Sequence, residues 1–305
     1  MNISDLEEIK ESQLPLTKNM NLYFDSGNNQ FVLYKPAGKL ISDIRLDSKR
    51  VPILYIDVKD KKKMAILAQR YYNRVLEKSI KNGNLNQVRN ILVQIVEDVM
   101  TEPRSGALDV MPETMDILIK NYVDQPQNLR ALAQLSFKDY TTSIHSINVM
   151  AYSIVYCIHA GYSLEDTLNI GLGSLFHDIG KTQISSRILR APRKLSPEEF
   201  EIMKSHTTKG YDLILDSNLD KKMIQAAVLH HHEKLDGSGY PNNIFDVSEC
   251  GQILGVIDCY EALTNESRPY RNSMKPIEAL TVIKSDVEKE KLNKKIFEKF
   301  AYSLV

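Results

Sequence analysis

The stretch GSLFHDIGKTQIS, residues 173–185, carries two patterns at once. Leu172, Leu175, Phe176 and Ile179 recur at helical spacing and form an apolar stripe. His177 and Asp178 fall on an adjacent face, and one turn back on that face stand Gly171, Gly173 and Ser174. Small residues let a neighbouring helix come close, so both polar side chains are expected to point into a narrow gap between helices. A carboxylate buried there is costly unless a cation meets it. Two partners could do so: a metal ion, or Lys181 three residues further on.

Working outward, other polar residues repeat the pattern. His145 lies beside the stripe of Ile144, Ile147, Ala151, Ile154, Val155 and Ile158, with Asn148 and Tyr152 on its own face. His206 follows Phe200 and Met203 in a helix whose start, Ser196-Pro197-Glu198-Glu199, reads as a capping box with proline in the first turn. Asp258 sits inside the apolar run QILGVIDCYEAL, where a charge has little reason to be. His231 and His232 end a helix expected over 220–233 and lead into the glycine-rich loop DGSGYP. Taken singly, each is a satisfied core histidine or a hydrogen-bonded carboxylate. Together, five helices each set one or two metal-capable side chains beside an apolar face, and bundle cores are a usual place for metal sites. Nitrogen and carboxylate donors without cysteine suit iron, manganese or zinc better than calcium or magnesium. Of the seven histidines in 305 residues, two are given no function: His159, at a helix C-terminus, and His230, expected to face away from the pair it precedes.

The first hundred residues differ from the rest. NLYFDSG, QFVLYKPAG and VPILYIDV read as short strands, with SGNNQ as a hairpin connection. Helices are expected over 64–80 and 85–100. The basic run VKDKKK reads as a solvated helix entry in preference to a binding patch. Beyond residue 105 strand signals vanish, and further helices fit 248–264, 276–285 and 288–303. The expected fold is α+β overall: a small α/β domain with a connecting helix over 1–100, then an all-helical bundle over 101–305.

Composition bounds the function. Lysine plus arginine equals aspartate plus glutamate, 39 against 39, so no net field points to DNA or an anionic membrane. The acidic start MNISDLEEIKESQLP does not read as a secretory signal, and the apolar stretch over 147–161 is too short to span a bilayer. Three cysteines, Cys157, Cys250 and Cys259, suit reduced thiols in a cytoplasmic protein.

HDIGK, a lone histidine in EEFEIMKSH, HHEKLDGSGYP and ILGVIDCYEALTNESRPYR, in this order, closely resemble the HD-GYP family of the HD superfamily. Its members are bacterial phosphodiesterases that hydrolyse cyclic di-GMP to pGpG or GMP. The resemblance covers about residues 125 to 280 and implies that His145, His177, Asp178, His206, His231, His232 and Asp258 ligate two divalent metal ions, most readily iron, with manganese or zinc as alternatives. It implies that Asp178 bridges the ions and that a metal-bridged hydroxide attacks phosphorus. Lys181, Arg268 and Arg271 match phosphate contacts, and Gly239 and Tyr240 belong to a loop that lies by the substrate and is credited with contacts to diguanylate cyclase (GGDEF) domains. Glu233 is expected to orient a histidine. A homodimer is compatible with the family.

Two departures stand out. Relatives with three metals carry a glutamate where this chain has Thr141, so two metals are expected. The family's DALTSDRPYR is here EALTNESRPYR: Glu261 replaces an aspartate, and one residue is inserted before Arg268. That keeps a second reading open, a metal- and nucleotide-binding module that turns over little and acts through partners.

Overall fold

The computed structural model describes residues 3–28, 30–41, 52–135, 141–219, 222–265 and 273–305. Its N-terminal part is an antiparallel sheet in the order β1-β4-β2-β3, formed by β1 (Leu6–Glu8), β2 (Leu22–Asp25), β3 (Phe31–Lys35) and β4 (Tyr55–Asp57). Gly27 and Asn28, both at positive φ, make the β2–β3 turn as their sequence suggests. β1 was not legible: LEE has no strand propensity, and it is held by pairing Leu6 with Asp57 of β4. Ile9, Met20, Leu22, Leu54, Ile56 and Met64 fill the small core beneath the sheet. At its edge the buried Lys35 ammonium donates to the carbonyls of Thr17, Met20 and Lys39 at 2.9, 2.8 and 3.1 Å.

Helix α1 (Lys61–Lys81) joins the two parts, with Met64 in the sheet core and Leu76 in the bundle core. Its basic entry is tied down by ion pairs: Lys61 meets Glu7 at 3.1 Å and also Glu102, and Lys62 meets Asp109 at 3.1 Å. Helix α2 (Leu85–Thr101) gives Val88, Leu92, Ile95, Val96 and Val99 to the larger core. There follow α3 (Met111–Tyr122), α4 (Pro126–Gln134), α5 (Thr142–Ala160), α6 (Leu164–Phe176), α7 (Ser186–Leu189), α8 (Pro197–Lys204), α9 (His206–Leu215), α10 (Lys222–His230), α11 (Glu249–Thr264), α12 (Pro276–Glu288) and α13 (Lys294–Ser303).

The bundle is built round α5, whose residues from Ser143 to Cys157 are all buried. A helix buried on every side lies in the middle of a domain, and α4, α6, α11, α13 and α2 pack against it. Its cap is Thr141, whose hydroxyl accepts from the Ile144 amide; Ser163, Ser196 and Ser248 cap α6, α8 and α11 in the same way. The helix expected over 288–303 starts only at Lys294: α12 runs on to Glu288, Glu290 turns the chain at positive φ, and Asn293 then caps α13.

Candidate metal centre

The sequence reading placed His177 and Asp178 on a helix face. The helix in fact stops at Phe176, and Asp178 opens a 3₁₀ turn over Ile179–Gln183. Likewise His206 is not inside the capped helix: α8 ends at Lys204, Ser205 breaks the run, and His206 is the first residue of α9. His231 and His232 come just past the end of α10. Ends of three helices thus converge on His145 of α5 and Asp258 of α11.

What brings them together is backbone contact. A Cβ built on Gly180 would lie 1.9 Å from the carbonyl oxygen of His206 and 2.5 Å from the amide nitrogen of Gly210, so only glycine lets the turn after Asp178 rest on α9. A Cβ on Gly173 would lie 2.5 Å from that of Ala227, which seats α6 against α10. The small residues around HDIGK therefore do what the sequence suggests.

The donors form two groups. His145, His177 and Asp178 make one, and His206, His231 and His232 the other. In the first, His145 Nε2 lies 3.1 Å from His177 Nε2, 3.0 Å from Asp258 Oδ1 and 3.6 Å from Asp178 Oδ2. In the second, the Nε2 atoms of His206 and His231 are 3.3 Å apart. Asp178 spans the two: Oδ2 is 3.4 Å from His177 Nε2, and Oδ1 is 3.4 Å from His206 Nε2. Asp178 is 1% exposed, and its Oδ1 has no hydrogen-bond partner among the described residues.

The tautomers decide what this cluster needs. Nδ1 of His177, His206 and His231 donates to the carbonyls of Ser174, Met203 and Val228, at 2.7, 2.7 and 2.8 Å. His145 Nδ1 meets Glu261 Oε2 at 2.6 Å. With Nδ1 carrying the proton, Nε2 of His177, His206 and His231 presents a bare lone pair, and these lone pairs face one another and the Asp178 carboxylate. Such an arrangement repels itself unless cations occupy the middle. Burial pushes His206 down, His231 well down and His232 down to about 3, so all three are neutral and able to ligate. Burial also lowers His145, but the Glu261 and Asp258 carboxylates outweigh it and lift the imidazole to about 9. For Asp178 burial pulls upward, and Lys181 with His177 overcomes it and holds the acid well below the ordinary range. Orphaned Oδ1, converging Nε2 atoms and buried acids all fit divalent metal held by these seven side chains.

Lys181 Nζ reaches Asp178 Oδ2 at 2.6 Å, while Oδ1 is left facing His206. The loop after His232 folds back on itself: Tyr240 N donates to His232 O at 3.2 Å, and the Tyr240 ring packs 4.6 Å from that of His232. Gly239 is buried, and a Cβ there would strike the backbone of Glu233 and Lys234. His230 meets Ser248 Oγ at 3.0 Å, away from the cluster, and His159 is exposed. Arg268 and Arg271 lie outside the described residues.

Residues 118–296 match the HD domain family, more than half of the chain. The chain belongs to that family, in its HD-GYP branch. It is 32% identical over 172 residues to a cyclic di-GMP phosphodiesterase of Pseudomonas aeruginosa, covering 55% of this chain and 41% of that one. With a cyclic di-GMP phosphodiesterase of Thermotoga maritima it shares 39% over 154 residues, covering 49% of this chain and 41% of the relative. The chain thus spans about two fifths of the length of these relatives. A solved HDG"Y"P protein from Bdellovibrio bacteriovorus has the same fold, with a TM-score of 0.64 at 17% identity, covering 98% of this chain and 99% of that one.

One residue of this HD-GYP chain's site was misassigned and another missed. Glu233, expected to orient a histidine, holds the loop instead: its carboxylate accepts from the amides of Asn242 at 2.6 Å and Ile244 at 3.3 Å. The acid that orients a histidine is Glu261, 1% exposed, bound to His145 by Oε2 and to the side-chain amides of Asn148 and Asn265 by Oε1, both at 2.8 Å. Its signal was in view, since Glu261 lies three residues after Asp258 on one helix face, but the sequence showed it only as a departure.

Proposed function

We propose that this chain is a metal-dependent phosphodiesterase that hydrolyses cyclic di-GMP. The observation that carries it is Asp178, whose two oxygens face two separate groups of histidines while Oδ1 has no hydrogen-bond partner among the described residues. Divalent metal would be held by His145, His177, Asp178 and Asp258 on one side and by His206, His231 and His232 on the other. Two such ions supply positive charge to a phosphate and make water more acidic. Iron suits the nitrogen-rich donors, as do manganese and zinc.

The chain's own groups do the rest. Buried walls exclude bulk water, which strengthens each charge in the site. Glu261 holds His145 with Nε2 inward, and the three backbone carbonyls do the same for His177, His206 and His231. Lys181, half-buried and paired with Asp178, would offer its ammonium to a phosphate oxygen. Each turnover consumes one water and breaks one P–O ester bond, giving linear pGpG, and a second gives two GMP. Tyr240 stands at the mouth of the site. Gly239 serves it by permitting the tight fold of the loop.

The odd count of three cysteines supports a cytoplasmic setting, and no helix among the described residues is long and apolar enough to cross a membrane. We assign residues 1–100 a regulatory or interaction role, and place contacts to a diguanylate cyclase domain, and any homodimer, among the partners to be tested. Metal-loaded protein incubated anaerobically with cyclic di-GMP and resolved by chromatography tests the activity. Appearance of pGpG or GMP supports it, and intact dinucleotide under both iron and manganese overturns it. The insertion before Arg268 favours the second reading, binding with little turnover, which that same result together with measurable nucleotide binding would establish.

A further inference from the structure

The metal-facing histidines, Lys181 and the loop leave one group of side chains beside the site without a task. Phe200 on α8 is 45% exposed, so burial does not explain a large aromatic ring there. It stands at the end of a file of rings leading out of the metal centre: His231 to His232 at 4.2 Å, His232 to Tyr240 at 4.6 Å, and Tyr240 to Phe200 at 6.3 Å, the last pair edge to face. Lys204, one turn further along α8, sets its ammonium 5.1 Å from the Phe200 ring centre and 5.7 Å from that of Tyr240, while pairing with Glu201 at 2.7 Å.

We infer that Phe200, with Tyr240 and Lys204, is a specificity-determining platform that stacks a nucleobase next to the phosphate under attack. The inference rests on the phosphodiesterase reading and deepens it. A base is joined to its phosphate through a ribose, so a site that grips phosphate at the metals must meet the base a short way outward, where this file of rings leads. Bases present flat π-faces, and aromatic side chains take them with little regard to sequence. Lys204 adds a cation that can serve the dinucleotide's second phosphate, which a lone mononucleotide diester lacks. A protein partner, in contrast, would need a broad apolar surface, and α8 exposes only Phe200 and Ile202 as large apolar side chains, among charged neighbours.

The test compares wild type, Phe200→Ala, Phe200→Leu and Phe200→Trp, all metal-loaded. Two substrates are used, cyclic di-GMP and methyl 4-nitrophenyl phosphate, a diester without base or ribose. Affinity for cyclic di-GMP is measured separately by calorimetry on the same samples. The ratio of kcat/KM for the dinucleotide to that for the simple diester should fall about ten-fold in Phe200→Ala and Phe200→Leu, through KM, and recover in Phe200→Trp. An unchanged ratio in Phe200→Ala overturns the platform even if the enzyme is active. If wild type binds cyclic di-GMP without cleaving it, a ten-fold weaker Kd in Phe200→Ala sustains the platform while the hydrolase reading fails. If wild type neither binds nor cleaves it, both fall.

Discussion

Glu261 shows how a single residue can set a metal site it does not touch. Its carboxylate fixes the His145 ring and is itself fixed by Asn148 and Asn265. Glu261→Gln keeps the volume and removes the charge, and metal affinity should fall about 10- to 100-fold, measured by competition with a chelator. The imidazoles also give the metal-free protein a stability optimum. His232 binds its proton near pH 3 when folded and near 6.5 when unfolded, so between those values the unfolded chain holds the extra proton and stability rises with pH. His145 is displaced the opposite way, to about 9, so its contribution is complete below 6.5 and is lost as pH rises toward 9. Chelated protein should therefore melt highest near pH 6.5, and lower at both pH 5 and pH 9, by thermal scanning at fixed ionic strength. A monotonic profile would mean that these two imidazoles do not govern its pH dependence.

At the scale of elements, the site depends on how closely helices approach. Gly180 touches the backbone of α9 at His206 and Gly210, and backbone cannot swing aside. Gly180→Ala should cost roughly 1–3 kcal/mol of stability and displace Asp178 from the second group of histidines. Urea unfolding and metal content measure the two effects, and wild-type values for both would show that the contact is not needed. This element was half legible in sequence. Periodicity gave the helices, the Ser196 capping box gave the start of α8, and the order of the His and Asp blocks pointed to side chains that the fold brings together. Breaks at Phe176 and Ser205 were not legible, because His177, Asp178 and His206 are compatible with helix and leave it only for tertiary contacts. Strand β1 was hidden for a similar reason: its pairing with β4, not its own composition, makes it a strand.

At the scale of the molecule, two cores of unequal size share one helix. Met64 and Leu76, at the two ends of α1, belong to the sheet and to the bundle. Ion pairs from Lys10 to Asp98 and from Lys61 to Glu7 and Glu102 tie the sheet to α1 and α2. The α+β order of the chain was readable from the loss of strand signals after residue 105, whereas the packing of α2 into the bundle follows from its apolar face finding α5. Everything at this scale serves the convergence of α5, α6, α9, α10 and α11 on one metal-binding centre. Its most direct test is elemental analysis of freshly purified protein, wild type beside Asp178→Ala, with circular dichroism to confirm folding. About two ions per wild-type chain, with loss of metal in the folded variant, is the outcome expected of paired ions sharing one carboxylate. Metal-free wild type that takes up no divalent ion, or a folded variant that keeps its full complement, would contradict it.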